Sequence, residues 1–195
     1  MKRWGVFLDR DGTIVPDVNY ASTPQELVLY RRAGAALREL SRAGATLIVV
    51  SNQSAVARGY LDMKGLARMD DRLRAICKKA GVRLDAIYNC PHHPDFTGPC
   101  RCRKPEPGLI RKGLRDFHLS PSHCYLVGDH GTDLEAGRRV GLTTVHVLTG
   151  HGLRHRKDIA RRKLADHVAR DLGSAAEWIL RARSDASGGA SRRGT

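Results

Sequence analysis

Long hydrophobic runs are missing from this chain of 195 residues. No segment approaches the roughly 18 consecutive apolar residues that a membrane-spanning helix requires. The first residues pass from Met1-Lys2-Arg3 directly into a short strand-like segment, without the apolar core or small-residue cleavage site of a signal peptide. These two absences predict a protein that has no membrane contact and resides in the cytoplasm.

Aromatic residues are scarce, at 5% of the chain, and acidic residues are outnumbered by basic ones. The 34 lysines and arginines against 20 acids give a formal net charge of +14. Such an excess favours nucleic acid, anionic lipid or phosphorylated substrates as partners, although it is also typical of an ordinary solvated surface. The basic residues are densest over 154–163 and carry no interleaved aromatics for stacking bases. The pattern therefore argues against nucleic acid as a partner.

Short apolar runs alternate with longer amphipathic segments along the chain. Buried strands are predicted over 4–8, 45–50, 86–88, 124–127 and 143–148, with an edge strand within 165–172. Helical periodicity fills the intervals, with Gly44 and Gly81 placed to end two helices and Pro107 suited to open a third. The alternation predicts an α/β fold, a parallel sheet with helices on both faces. Residues 1–183 are predicted to form one domain and 184–195 a disordered basic tail.

Capping-box spacing, in which a hydroxyl residue precedes a glutamate by three positions, occurs twice near the predicted helices. Thr132 with Glu135 and Ser174 with Glu177 have this spacing. Each pair predicts the start of a helix.

Polar residues concentrate immediately after the predicted strands, where ligands bind in parallel α/β sheets. Asp9 and Asp11 follow the first strand and precede Gly12. Two carboxylates this close require a cation, and their oxygens suit Mg²⁺. The alternative is an ordinary acid-rich turn, and polar groups at the other strand ends favour the metal site over that alternative.

Three further strand-end or helix-start segments carry groups that could bind an anion or complete a metal site. Residues 51–54 offer hydroxyl and amide donors, with a polar loop or helix cap as the alternative. Arg103 and Lys104 place two cations before a helix. Asp129 and Asp133 could complete the magnesium site, or could be favourable charge at a helix N-terminus.

Together these segments resemble the haloacid dehalogenase-like (HAD) phosphatase superfamily. D-x-D-G-T at 9–13, Ser51, Lys-Pro at 104–105 and G-D-x-x-x-D at 128–133 stand in the order of its four motifs. The resemblance implies a Rossmann-like HAD fold and a covalent aspartyl-phosphate.

The resemblance also implies a role for each motif residue. Asp9 would attack phosphorus, and Asp11 would act as general acid and then general base. Ser51 and Lys104 would bind the phosphoryl oxygens. Mg²⁺ would be held by Asp9, the backbone carbonyl of Asp11 and Asp129, with Asp133 as a further ligand or an orienting group.

Three of the five cysteines crowd into one short stretch with a histidine. Cys90-Pro91-His92 and Cys100-Arg101-Cys102 form a C-x-H…C-x-C arrangement, which predicts a structural zinc site with four protein ligands. Reduced cysteines beside a histidine-rich loop are the alternative, and His93 competes with His92 as the fourth ligand. His92 is predicted because its spacing matches that of the second cysteine pair. The loop 90–102 would then hold Arg103 and Lys104 in place.

The zinc loop, with segments 51–59 and 102–108, is similar to the D-glycero-D-manno-heptose 1,7-bisphosphate phosphatase group. This resemblance implies removal of the C7 phosphate. A minimal cap is predicted because no large inserted segment between the motifs could build a separate cap domain, and the protein is predicted to be a monomer. The predicted substrate-binding residues are Arg10, Asp17, Val18, Asn19, Tyr20, Asn52, Gln53, Ser54, Arg58, Arg103 and His130. His130 stands where the group often has lysine. Histidinol phosphate, whose phosphatase domain shares the zinc loop, is the alternative substrate, followed by phosphate at nucleic-acid ends; a catalytically silent binding module is the non-enzymatic alternative.

Overall fold

A parallel β-sheet forms the centre of the molecule. The computed structural model describes residues 3–18 and 23–190, with side-chain surroundings described as far as 185. The strands are β1 Trp4–Leu8, β2 Ala45–Asn52, β3 Ala86–Cys90, β4 Cys124–Gly128, β5 Thr143–Val147 and β6 His167–Ala169. Their order across the sheet is β3-β2-β1-β4-β5-β6, and every neighbouring pair is parallel. The predicted α/β class and parallel sheet are therefore confirmed.

Helices connect the strands and cover both faces of the sheet. They are α1 Ala33–Arg42, α2 Met63–Lys79, α3 Pro94–Thr97, α4 Gly108–Asp116, α5 Gly131–Arg138, α6 Gly152–Arg161 and α7 Leu172–Ala190, with 3₁₀ turns at Pro24–Glu26 and Pro121–His123. Gly44 and Gly81 follow α1 and α2 with φ of +85° and +77°, conformations that glycine adopts without strain. No helix in the described ranges is long and apolar enough to cross a membrane.

The core has two halves because side chains alternate across each strand. In β1, Val6 and Leu8 point into the cluster packed beneath α1, α2 and α7. Phe7 points into the opposite cluster, which contains Ile110 of α4 and Leu134 of α5. Burial of β1 on both faces explains its uninterrupted apolar sequence.

Both predicted capping boxes are wrong by a few positions. The N-cap of α5 is His130, whose ring accepts from the Thr132 amide, while Asp133 accepts from the His130 amide at 3.0 Å. Glu135 instead forms ion pairs with Arg139 and Arg162. Before α7, the carboxylate of Asp171 accepts from the Ser174 amide at 2.7 Å, so the helix begins earlier than Ser174.

The C-terminal part of the described chain is helical further than the sequence predicted. α7 continues to Ala190, whereas a disordered tail was predicted from residue 184. The Arg183 guanidinium lies 3.9 Å from the centroid of the Trp4 ring, and this contact extends the packing of α7 along the sheet. Residues 191–195 lie outside the described residues.

No separate cap domain interrupts the described sheet and helices. Among the described residues between β1 and α1 (9–18 and 23–32) there is a single 3₁₀ turn, and the four-residue α3 lies between β3 and α4. The carboxyl ends of the strands therefore open onto a cleft, as a minimal cap implies.

Candidate active site

The carboxyl ends of β1, β2 and β4 border a cleft of about 710 Å³. Thirteen of the predicted site residues line it: Asp9, Arg10, Asp11, Asp17, Ser51, Asn52, Gln53, Ser54, Arg103, Lys104, Asp129, His130 and Asp133. Parallel strands bring their carboxyl ends to the same edge, so motifs far apart in sequence meet here.

Three buried carboxylates lie at the floor of the cleft. Oxygens of Asp9, Asp129 and Asp133 lie within 4.8 Å of one another. The Lys104 ammonium lies 2.6 Å from one oxygen of Asp9 and 2.6 Å from one oxygen of Asp133. Burial opposes the charge on Lys104, but the carboxylates of Asp133 and Asp9 outweigh it and raise the pKa of the ammonium above its ordinary value.

This group of carboxylates fits a divalent cation. Burial, with repulsion from Asp133 and Asp129, holds the pKa of Asp9 well above its usual range despite the opposing charge of Lys104. Burial and Asp133 raise the pKa of Asp129 to about 7. A bound cation would offset the charge that the single ammonium leaves uncompensated, and a donor set made only of oxygen suits Mg²⁺.

The carboxylate of Asp11 lies outside this group. Arg10 Nε lies 3.0 Å from Asp11 Oδ1, and Gln53 Nε2 lies 2.8 Å from Asp11 Oδ2. Gln53 Nε2 also donates to Ser51 Oγ at 2.7 Å, and Gln53 Oε1 accepts from Arg10 at 2.9 Å. Arg10 and Gln53, predicted as substrate contacts, thus orient Asp11 and Ser51. The Asp11 side chain remains 25% exposed at the cleft.

Asn52 holds the chain that carries Lys104. Its Nδ2 donates to the Lys104 carbonyl at 3.1 Å, and its Oδ1 accepts from the Lys104 amide at 3.0 Å. The Lys104 ammonium also donates to the Val50 carbonyl at 2.7 Å. The amide of Asn52 is therefore occupied by backbone, although the sequence predicted it to contact substrate.

The structure places two predicted substrate contacts outside the lining of the cleft. The Arg58 guanidinium lies 4.8 Å from the centroid of the Phe96 ring, and its Nη2 lies 3.2 Å from His93 Nε2. Val18 is 42% exposed and does not border the cleft. Asn19 and Tyr20 lie outside the described residues.

The start of α6 adds cleft residues that the sequence analysis missed, namely His151, Arg154 and His155. The His151 amide donates to Asp129 Oδ2 at 2.7 Å. These residues follow β5, so the strand-end rule that found the other motifs could also have found them.

Two glycines allow the backbone to approach Asp129 closely. A Cβ on Gly12, whose φ is +80°, would lie 2.2 Å from Asp129 Oδ2. A Cβ on Gly150, whose φ is +55°, would lie 2.3 Å from the same oxygen. Any larger residue at either position would displace the carboxylate.

The predicted zinc ligands come together beside the cleft. Donor atoms of Cys90, His92, Cys100 and Cys102 lie within 4.8 Å of one another. Cys90 Sγ lies 3.6 Å from Cys100 Sγ, near the separation of about 3.8 Å that a tetrahedral zinc–thiolate site has, and 3.0 Å from Cys102 Sγ. His93 instead accepts from the Asp95 amide at the start of α3. The cluster therefore has the composition and the compactness to bind zinc.

Known proteins share both the sequence and the fold. A HAD-hydrolase-like family model matches residues 101–175. A D-glycero-beta-D-manno-heptose-1,7-bisphosphate 7-phosphatase of Pseudomonas aeruginosa is 41% identical over 155 residues, covering 79% of this chain and 86% of that protein. The corresponding enzyme of Haemophilus ducreyi is 34% identical, covering 86% of this chain and 98% of that protein.

Among solved structures, the D,D-heptose 1,7-bisphosphate phosphatase of B. bronchiseptica, complexed with magnesium and phosphate, has a TM-score of 0.82 at 33% identity. The match covers 92% of this chain and 98% of that one. With both sequence and fold shared over most of its length, the chain belongs to the D-glycero-D-manno-heptose-1,7-bisphosphate 7-phosphatase family of HAD-like hydrolases.

Proposed function

We propose that this protein is a Mg²⁺-dependent phosphatase that removes the C7 phosphate of D-glycero-D-manno-heptose 1,7-bisphosphate. The observation that carries the proposal is the grouping of Asp9, Asp129, Asp133 and Lys104 at the floor of the cleft, beside the partly exposed carboxyl of Asp11. The substrate follows from the names of the relatives, and a cleft of about 710 Å³ is within the size range of small-molecule sites.

The reaction proceeds through two transfers at phosphorus. A carboxylate oxygen of Asp9 bonds to phosphorus while the bond from phosphorus to the sugar oxygen breaks, and Asp11 gives its proton to that oxygen. Asp11 then takes a proton from water, which attacks phosphorus and breaks the bond to Asp9. The hydrogen bonds from Arg10 and Gln53 hold Asp11 for both proton transfers.

Ser51 and Lys104 bind the oxygens of the transferring phosphoryl group. Ser51 Oγ already accepts from Gln53, so its own proton can be donated to a phosphoryl oxygen. Lys104 lies against Asp9 and supplies positive charge at the point of attack. Asp9, Asp129 and the Asp11 carbonyl, with Asp133 as a further ligand or an orienting group, would hold Mg²⁺, which would neutralise part of the charge on the transferring phosphoryl group.

The cysteine cluster is proposed to bind a structural zinc ion. Three thiolates and one imidazole would fill all four positions, leaving none for substrate. Lys104 comes two residues after Cys102, and Arg103 donates from Nη1 to the His92 carbonyl at 3.1 Å. Zinc would therefore fix the segment that delivers both cations to the cleft.

Phosphate release from a substrate panel tests the function. The panel contains both anomers of the heptose 1,7-bisphosphate, histidinol phosphate, fructose 1,6-bisphosphate and a 3′-phosphorylated oligonucleotide, each with Mg²⁺ and with EDTA. We expect selective, Mg²⁺-dependent release from a heptose bisphosphate. Preference for histidinol phosphate or the oligonucleotide would contradict the proposed substrate but not the phosphatase activity. Phosphate release that EDTA does not reduce would contradict the Mg²⁺ requirement.

Gly12→Ala is expected to reduce activity far more than stability. The added Cβ would push the Asp129 carboxylate out of the metal group, and displacement of about 1 Å in an active site can cost about 100-fold in rate. We therefore expect kcat/KM to fall about 100-fold and the Mg²⁺ concentration for half-maximal activity to rise.

Gly59→Ala is the matched control. Gly59 has a φ of +77° but no heavy atom within 4 Å of its added Cβ, so it shares the backbone strain without the collision. Both variants should lose about 1–2 kcal/mol of unfolding free energy, measured by urea titration. Equal activity of the two variants would contradict the proposal that Asp129 is a ligand of the Mg²⁺ ion.

A further inference from the structure

The start of α6 and the start of α5 form one wall of the cleft. His151, Arg154 and His155 are three and four positions apart, so they lie on the same side of the chain as it enters α6. All three line the cleft, and the His155 ring lies 4.1 Å from the His130 ring, centroid to centroid. This wall is rich in groups that donate hydrogen bonds.

Arg154 is the permanent cation of this wall. It is exposed and borders the cleft, and no carboxylate in the described ranges pairs with it. The other arginines near the end of α6 are paired, since Arg161 contacts Asp158 at 2.5 Å and Arg162 contacts Glu135 at 2.5 Å. A guanidinium without a carboxylate partner suits phosphate, which it can bind through two parallel hydrogen bonds.

The histidines complete the wall with fixed orientations. His130 Nδ1 accepts from the Thr132 amide at 3.2 Å, so a neutral His130 ring carries its proton on Nε2 and can donate it. His151 Nε2 lies 3.0 Å from Asp17 Oδ2, and Asp133 at the start of α5 is paired with the Lys104 ammonium. The wall therefore offers donors to an anion while these two carboxylates are already paired.

We propose that Arg154, with His130 and His155, binds the phosphate that the substrate retains. This inference rests on the proposed function, because a heptose 1,7-bisphosphate carries a second phosphate at the far end of the sugar. In the proposed mechanism the reacting phosphate lies against Asp9, Ser51 and Lys104, and the same cleft of about 710 Å³ extends to Arg154. Arg154 is thus a specificity-determining residue that distinguishes a bisphosphate from a monophosphate.

Arg154→Gln tests the inference with two substrates, the heptose 1,7-bisphosphate and the heptose 7-phosphate that lacks the C1 phosphate. A hydrogen bond to a charged group corresponds to about 10- to 100-fold in affinity, so KM for the bisphosphate should rise by that factor. The kcat should be unchanged, because Arg154 does not touch the reacting phosphorus. KM for the monophosphate should not change, and Arg154→Lys should retain part of the preference.

Arg156→Gln is the matched control. Arg156 is also an exposed arginine of α6, but it does not border the cleft, because two positions along a helix turn a side chain by about 200°. The Arg156→Gln substitution removes one positive charge from α6, as Arg154→Gln does. Unchanged kinetics in Arg156→Gln would separate local binding from a general effect of net charge.

The outcomes distinguish the inference from the function on which it rests. Equal changes for both substrates in Arg154→Gln, equal changes in the Arg154 and Arg156 variants, or no change at all would overturn the subsite and leave the phosphatase intact. Failure of the unchanged enzyme to release phosphate from either heptose substrate would overturn the proposed function and the subsite with it.

Discussion

Asp9→Asn is expected to lower kcat by at least about 10⁴-fold, because an amide cannot form the covalent phospho-enzyme. Asp9 follows β1 directly and is held 2.6 Å from the Lys104 ammonium among buried carboxylates. Removal of a nucleophile costs more than removal of a single hydrogen-bond donor, which typically costs on the order of 10²–10³. Phosphate release from the heptose bisphosphate at saturating Mg²⁺ measures the effect.

The fold of Asp9→Asn should persist, because Lys104 keeps its ion pair with Asp133 at 2.6 Å. Circular dichroism and thermal unfolding check this point. Asp95→Asn is the control for removing a carboxylate, since the Asp95 side chain is 78% exposed and outside the cleft. Mass spectrometry of acid-quenched enzyme should find a phosphate adduct on the peptide containing Asp9. Substantial turnover by Asp9→Asn, or an adduct on another residue, would show that the mechanism is wrong.

His92→Gln is expected to release zinc, to lower the free energy of unfolding by more than about 2 kcal/mol and to abolish most activity. His92 Nδ1 lies 3.2 Å from Cys102 Sγ within the cysteine cluster. Loss of one ligand would leave three thiolates without the imidazole that completes the tetrahedral set. The segment carrying Arg103 and Lys104 would then lose its anchor, so stability and catalysis should fall together.

His93→Gln provides a comparison within the same loop. His93 is adjacent in sequence, but its ring caps α3 and lies near Arg58, apart from the cysteine cluster. Zinc content measured by elemental mass spectrometry should be about one ion per chain in His93→Gln and in the unchanged protein, and far lower in His92→Gln. Loss of zinc from His93→Gln alone would instead show that the ligand is the neighbouring histidine.

The strands were predicted well from the sequence because a strand that is buried on both faces is an uninterrupted run of apolar residues. The apolar run 4–8 matches β1 residue for residue, and the run 45–50 lies within β2. The capping boxes failed because spacing alone does not reveal which residue's amide is left unpaired. At α5 the first unpaired amides belong to the turn that follows β4, so His130 and Asp133 cap the helix.

Three of the residues predicted to contact substrate hydrogen-bond to other protein groups in the structure. Arg10, Gln53 and Asn52 have polar groups that could bind a substrate, yet the structure engages them with Asp11, Ser51 and the Lys104 backbone. Composition identifies a donor or acceptor, whereas the partner depends on distances between loops that only the folded chain defines.

The sequence by itself determined the α/β class, the four motifs at strand and helix ends and the compact cysteine–histidine set, because each is encoded by short-range spacing. Tertiary structure alone decided how the walls of the cleft meet. His151 reaches Asp17 across 134 positions, and Lys104 reaches Asp9 across 95. Such pairs form because the order of parallel strands brings their ends together, and strand order is a property of packing the whole sheet rather than of any local pattern.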